Sequence, residues 1–297
     1  MGSYEKINYR LRPAKCIERK MLAEAFRRLS PFGKVSNYRY VGFGSTFFSD
    51  FVLFHRSLGF CDMISIERDI QNKKRFEFNR PFRCIKMRFE PSSVALPSLA
   101  WDPRTIAWLD YDGQLDLGVI KDIQTVTGSA TAGSMLIISV NAHPDKRPSD
   151  IEPAALGQFR KDELAERVSR ANVPLGLDGK DLNQWGTALT CRKIVDNVIA
   201  STLAARNATL TQGSKIRYRQ LFHFHYADGA KMLTVGGILY DEGQETLLNN
   251  CAFDDLPCIR VDDAPYLISV PSLTPKEIRH LDAQLPRGDA ALKLPAV

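Results

Sequence analysis

Two groups of residues have types and spacings suited to chemistry. The first is Gly42-Phe43-Gly44-Ser45 with Glu67 downstream. Glycines at a bend permit backbone angles that other residues resist and leave no side chain between backbone and ligand. Glu67 ends the next apolar run, where an α/β nucleotide site places an acid to accept hydrogen bonds from ribose hydroxyls. The second group is Asp110, Tyr111 and Asp112 with Asn141 and His143. A carboxylate or imidazole there can orient an attacking hydroxyl or amine, or remove its proton. Both groups also have plainer readings. A Gly-x-Gly bend is common without a ligand, Asp112-Gly113 suits a simple turn with one capping carboxylate, and His143 beside Pro144 suits a structural role.

Positioning these residues requires strands that end at them. Tyr38 to Phe43 is rich in β-formers and enters the bend; Phe47, Phe51, Phe54 and Leu58 then recur at helical spacing. Further strands are expected at Met63 to Glu67, Cys84 to Phe89, Thr105 to Asp110 and Met135 to Asn141, with helices at Asp69 to Asn79 and Leu115 to Val126 between them. This alternation predicts a mostly parallel, doubly wound α/β sheet with helices on both faces. Ligands of such sheets bind outside the carboxyl ends of the strands, where Gly44, Glu67, Arg88, Asp110 and Asn141 fall.

The remaining segments frame that core. Pro13 opens a helix over 13–29 with an apolar face of Ile17, Met21, Ala25 and Leu29. Its charged residues read either as a solvated face or, for Arg10, Arg12, Lys15 and Arg19, as the mouth of the ligand cleft. Residues 144–186 break the alternation with prolines, charges and one helix near Ala155 to Arg170, and read as a lid or substrate-selecting insertion or as an inert excursion. A helix over Thr187 to Arg206 follows, then two β-rich runs, Lys215 to Tyr226 and Met232 to Tyr240, joined by Ala227-Asp228-Gly229-Ala230 as a hairpin. Within the first of these, His223 and His225 share a face at a spacing that suits a metal, without a third ligand in view. The tail from Glu242 holds an apolar run at Tyr266 to Val270 and a helix start at Thr274-Pro275-Lys276-Glu277 with capping-box spacing.

Composition sets outer bounds. The chain has 297 residues, 44% apolar and 25% charged, ordinary values for a globular protein. A net charge of +6 pushes mildly toward polyanionic partners. Six scattered cysteines without a Cys-x-x-Cys pair read as reduced, mostly buried thiols. No apolar run approaches the roughly 20 residues needed to span a bilayer, so no membrane association and a cytoplasmic location are expected.

The opening bend resembles the first motif of class I S-adenosylmethionine-dependent methyltransferases. Phe47 stands where the dinucleotide fingerprint would place its third glycine, which disfavours a pyrophosphate ligand. Strand-helix units followed by a further helix and a hairpin, over roughly 36–241, are the strand plan of that superfamily, whose last strand is antiparallel. The stretches Leu11-Arg12-Pro13-Ala14-Lys15-Cys16-Ile17-Glu18-Arg19-Lys20-Met21 and Trp108-Leu109-Asp110-Tyr111-Asp112-Gly113 are similar to bacterial O-methyltransferase-like proteins.

The resemblance implies a Rossmann-like class I methyltransferase fold, mostly parallel and ending in an antiparallel hairpin, with a helical insertion. It divides the chain into a basic N-terminal helix (1–35), a core (36–143 and 187–241), the insertion (144–186) and a C-terminal extension (242–297). It implies S-adenosylmethionine held by Gly42, Phe43, Gly44, Ser45 and Glu67, with Arg88 and Phe89 near the adenine. Asp110, Asp112 and His143 are then the candidates for proton removal, and Lys15, Arg19, Tyr111 and Asn141 for the acceptor. Asp110, Asp112, Asn141 and His143 also offer a partial oxygen-rich set for a divalent cation; the reading taken is metal-free. Asp110-Tyr111-Asp112-Gly113 is not the Asp/Asn-Pro-Pro-Tyr signature of amino-methylating DNA enzymes, and no Pro-Cys pair ends that strand. The expected activity is O-methyl transfer to an unidentified acceptor. A catalytically silent nucleoside-binding module and a nucleic-acid methyltransferase gripping phosphates through its basic helix are the alternatives.

Overall fold

The computed structural model describes residues 12–271, 273–286 and 292–294. Its elements run in chain order as helix α1 (Pro13–Arg27), strand β1 (Arg39–Phe43), α2 (Ser49–Leu58), β2 (Asp62–Ile66), α3 (Lys73–Asn79), β3 (Ile85–Arg88), α4 (Ser92–Ala95) and β4 (Thr105–Gln114). There follow α5 (Leu117–Ser129), β5 (Met135–Asn141), α6 (Leu156–Val168), α7 (Gly186–Asn207), β6 (Ile216–Ala227), β7 (Lys231–Asp241), α8 (Glu245–Asn250), β8 (Tyr266–Ile268) and α9 (Pro275–Asp282). The strands form one sheet in the order β3-β2-β1-β4-β5-β7-β6-β8. Its first five strands are parallel, and β7 runs antiparallel to both β5 and β6. This is the doubly wound sheet with a terminal hairpin that the alternation and the resemblance predict.

Strand alternation sorts the core into two layers. Tyr40, Ile106, Trp108, Ile137, Phe224 and Tyr226 point to one face, under α1, α2 and α8. Val41, Ala107, Leu109, Ile138 and Val235 point to the other, under α5 and α7. The insertion joins this second layer through Leu164, Val168 and Leu182, and Arg167 clamps Asp145 with two hydrogen bonds of 3.0 and 3.1 Å.

Four elements differ from expectation. The buried stripe of α1 runs through Lys15, Glu18, Leu22, Ala25 and Phe26, while Ile17 and Met21 are only partly covered. Phe47 precedes α2 and is exposed, whereas Phe48, at a left-handed φ of 46°, is the buried ring. β4 does not turn at Asp110 but continues to Gln114, with a register shift between the two. The tail supplies an eighth strand parallel to β6 and places Phe253, Ile259 and Ile268 in the core. The thiols are less uniformly buried than expected: Cys191, Cys251 and Cys258 are buried, while Cys16 and Cys61 are exposed. Burial pushes the Cys191 thiol up to about 12. Arg10 and Leu11 lie outside the described residues.

Candidate functional site

The parallel strands bring the predicted residues to one edge. β1 ends at Phe43, and Gly44, Ser45, Thr46 and Phe47 lead into α2, with the Ser45 hydroxyl accepting from the Phe47 N–H at 3.2 Å. A Cβ on Gly42 would fall 2.7 Å from the Tyr40 hydroxyl, and one on Gly44 would fall 2.2 Å from Ser65 Oγ. A side chain at either position would have to displace these groups. Ser65 Oγ itself is buried with no hydrogen-bond partner among the described residues. One strand over, the Glu67 N–H donates to the Arg88 carbonyl at 2.9 Å, and Glu67 Oε1 accepts from the Asp69 N–H at 3.0 Å. Burial raises the Glu67 carboxyl above its ordinary value, an effect opposed by that N–H. A carboxylate offers about four lone-pair positions, so capacity for hydroxyl donors remains.

Beside this bend, α1 delivers its charges into the protein. The Asp228 carboxylate, from the hairpin turn, accepts from the N–H groups of Ala14 and Lys15 at 3.3 and 3.0 Å and ties the helix start to the strand edge. Lys15 Nζ then lies 2.6 Å from Asp110 Oδ1, 2.7 Å from Glu18 Oε2 and 3.1 Å from the Tyr226 hydroxyl, and 4.5 Å from the centre of the Trp108 ring. Burial opposes the ammonium charge, but Asp110, Glu18 and Tyr226 outweigh it and hold the Lys15 pKa above its ordinary value. Glu18 is engaged from the sheet as well. Trp108 Nε1 donates to Ser139 Oγ at 2.9 Å, the Ser139 and Thr234 hydroxyls are 2.6 Å apart, and Thr234 Oγ1 donates to Glu18 Oε1. The result is a directed chain of donors ending on one carboxylate. Next to it the Tyr40 hydroxyl donates to Asp50, whose carboxyl is raised by burial and lowered by nearby Arg19.

The remaining candidates separate by face. Asp110 points toward Lys15, while Tyr111 points to the opposite face, where its hydroxyl donates to Asp122 at 2.6 Å and its ring meets Phe43 edge-on at 4.9 Å. Tyr111 thus packs rather than facing the Asp110 side. Asp112 and His143 are exposed at the same edge, and the Asn141 side chain accepts from the His143 N–H at 2.8 Å. Arg88 turns to Glu90 and donates to Ser98 Oγ at 2.8 Å; Phe89 packs against Phe76 beneath Lys73. Lys15 and Arg19, with 1% and 8% exposure, line the interior of the site instead of an open mouth. Among the described residues no three His, Cys, Asp or Glu side chains are grouped to hold a metal ion. His223 and His225 lie on the face of β6 opposite Tyr226, with His225 level with Val140 of β5 and the two Nε2 atoms 3.1 Å apart.

Glu18, Tyr226, Ser139 and Thr234 escape a reading by sequence alone. For Glu18 the one visible signal is the stripe of positions 15, 18, 22 and 25/26, which keeps helical period while mixing charge with apolar residues.

A family profile matches residues 7–294, nearly the whole chain. The chain belongs to the family described as "Putative O-methyltransferase". A comparison with curated proteins finds no match. Among solved structures, this methyltransferase-family chain is similar to Trm1 from Pyrococcus horikoshii in complex with S-adenosyl-L-methionine, at 10% identity over 80% of this chain and 56% of that one, with a TM-score of 0.46. A methyltransferase from Listeria monocytogenes described as S-adenosylmethionine dependent gives 10% identity over 73% and 98%, with a TM-score of 0.40. A probable spermidine synthase from Corynebacterium glutamicum gives 13% identity over 43% and 49%, with a TM-score of 0.37. The chain spans about half the length of the spermidine synthase and of Trm1. Among the described residues no helix is long and apolar enough to cross a membrane.

Proposed function

We propose that the chain binds S-adenosylmethionine at the β1–α2 bend and transfers its methyl group to an oxygen of an acceptor. The observation that carries this reading is Glu67, a half-buried carboxylate with spare acceptor positions, one strand away from a bend with glycine at 42 and 44. The orphaned hydroxyl of Ser65, beside Gly44, fits a polar ligand there. Gly42, Phe43, Gly44 and Ser45 would present backbone to the cofactor, and Phe89 offers the apolar surface at the end of β3. When bound, the cofactor supplies a sulfonium methyl group.

The acceptor side falls to the chain's own residues. Lys15 donates to Asp110 Oδ1 at 2.6 Å and sets the orientation of that side chain, which makes Asp110 a positioning group. Asp112 and His143, exposed at the ends of their strands, would take the proton of an acceptor hydroxyl. The test is transfer of a labelled methyl group from S-adenosylmethionine to a panel of hydroxyl-bearing acceptors. Asp112→Asn with His143→Gln should lower turnover by about a hundredfold or more while leaving S-adenosylhomocysteine binding intact. Unchanged turnover removes both residues from the reaction. Cofactor binding without transfer to any acceptor favours a silent binding module.

A further inference from the structure

Two stretches of this chain each carry a local charge of +5, residues 10–28 and residues 68–86. Between Arg68 and Lys86, seven Lys and Arg residues stand against two acids, Asp69 and Glu77, a local +5 in a chain of +6 overall. All seven basic residues are exposed: Arg68 before α3, three on α3, two on the loop after it and Lys86 on β3, the outermost strand on that side of the sheet. Two ion pairs reach this stretch, Lys86 with Asp62 at 3.1 Å and Lys73 with Glu77 at 3.8 Å, and both lysines are exposed, where such pairs contribute little.

An aromatic ring stands among these charges. Phe76 and Phe78 fall on opposite sides of α3; Phe76 is fully buried, while Phe78 is 88% exposed. A bare ring on a charged helix adds nothing to packing within the chain. Basic α1, by contrast, turns Lys15 and Arg19 inward and leaves Lys20 and Arg27 exposed.

We propose that the α3–β3 face is a docking surface for single-stranded nucleic acid, with Lys and Arg along its phosphates and Phe78 stacked on an unpaired base. An acidic peptide would satisfy the charge without using the ring, and a duplex keeps its bases inside the stack. Arg68 follows Glu67 directly, so a strand lying along α3 runs toward the proposed cofactor edge. Only this last consequence, nucleic acid as the acceptor class, rests on the proposed function.

The test is fluorescence anisotropy of a labelled oligouridine of about 12 nucleotides with the full chain, without cofactor, across a salt series. Binding should weaken as salt rises, with a log–log slope of about −2 or steeper, as three or more phosphate contacts require. Lys74→Glu with Arg83→Glu should weaken it at least tenfold, and Phe78→Ala at least about fivefold with the salt slope kept. These positions are exposed, and thermal melting of each variant confirms that it folds. The proposal is overturned if the oligomer does not bind, if these substitutions leave affinity unchanged, or if polyglutamate of equal charge or a duplex binds as tightly. Glu67→Ala should keep RNA affinity while losing cofactor affinity, so failure of one reading is distinguishable from failure of the other.

Discussion

Lys15 is held between Glu18, Asp110 and Tyr226 with 1% of its surface exposed, so its charge belongs to the interior of the protein. Removing one partner of a buried pair leaves the other uncompensated. Lys15→Met should therefore lower stability by about 3–5 kcal/mol, read from urea denaturation, because Glu18 at 0% exposure would lose its cationic partner. Adding Glu18→Gln should recover much of that loss, since an amide still accepts from Thr234. Equal stability of Lys15→Met and the parent would contradict the cluster. At this scale the sequence exposes only what ends a strand. Glu67 and Asp110 are legible for that reason. The burial of Lys15 is not, because its partners Asp110 and Tyr226 lie 95 and 211 residues away.

Within β6, alternation places His223 and His225 on one face and Phe222, Phe224 and Tyr226 on the other, as the sequence indicates. Their purpose was legible only as a weak metal pair. In the structure Trp185, the last residue of the insertion before α7, stacks on His225 at 4.6 Å, and the two imidazoles share a contact. Burial pushes His225 down to about 4 and, with the neighbouring His225, pushes His223 down to about 3. A depressed histidine favours folding in its neutral form. Its contribution is present above the ordinary value of about 6.5 and is lost as pH falls from there toward the folded values. Denaturation free energies measured between pH 7 and pH 4.5 should fall in the parent, and His225→Phe should fall less steeply even though it starts lower. Parallel pH profiles would contradict the assignment. The strand itself was readable because its period of two is local; the stack depends on where the insertion returns.

The described residues form a single sheet with two covered faces, and the succession of its strands along the chain and the hairpin were legible because the strands are apolar runs bounded by turn residues. The tail was less so. Tyr266 to Val270 reads as packing material, yet β8 extends the sheet beside β6, and Phe253, Ile259 and Ile268 are buried in the face that also covers α1 and α2. Such pairing joins segments far apart in the chain and leaves no local mark. A chain truncated after Asp241 should accordingly lose cooperative thermal unfolding and bind a hydrophobic dye. A sharp transition near the parent's midpoint would show the tail to be dispensable.

The central claim is that the edge formed by Gly44 and Glu67 holds the cofactor, and calorimetric titration with S-adenosylhomocysteine tests it most directly. The parent should bind, and Glu67→Ala should bind about tenfold more weakly or worse, the loss expected for a charge-assisted hydrogen bond. Folded parent protein that takes up no ligand, or a Glu67→Ala variant of unchanged affinity, would contradict it.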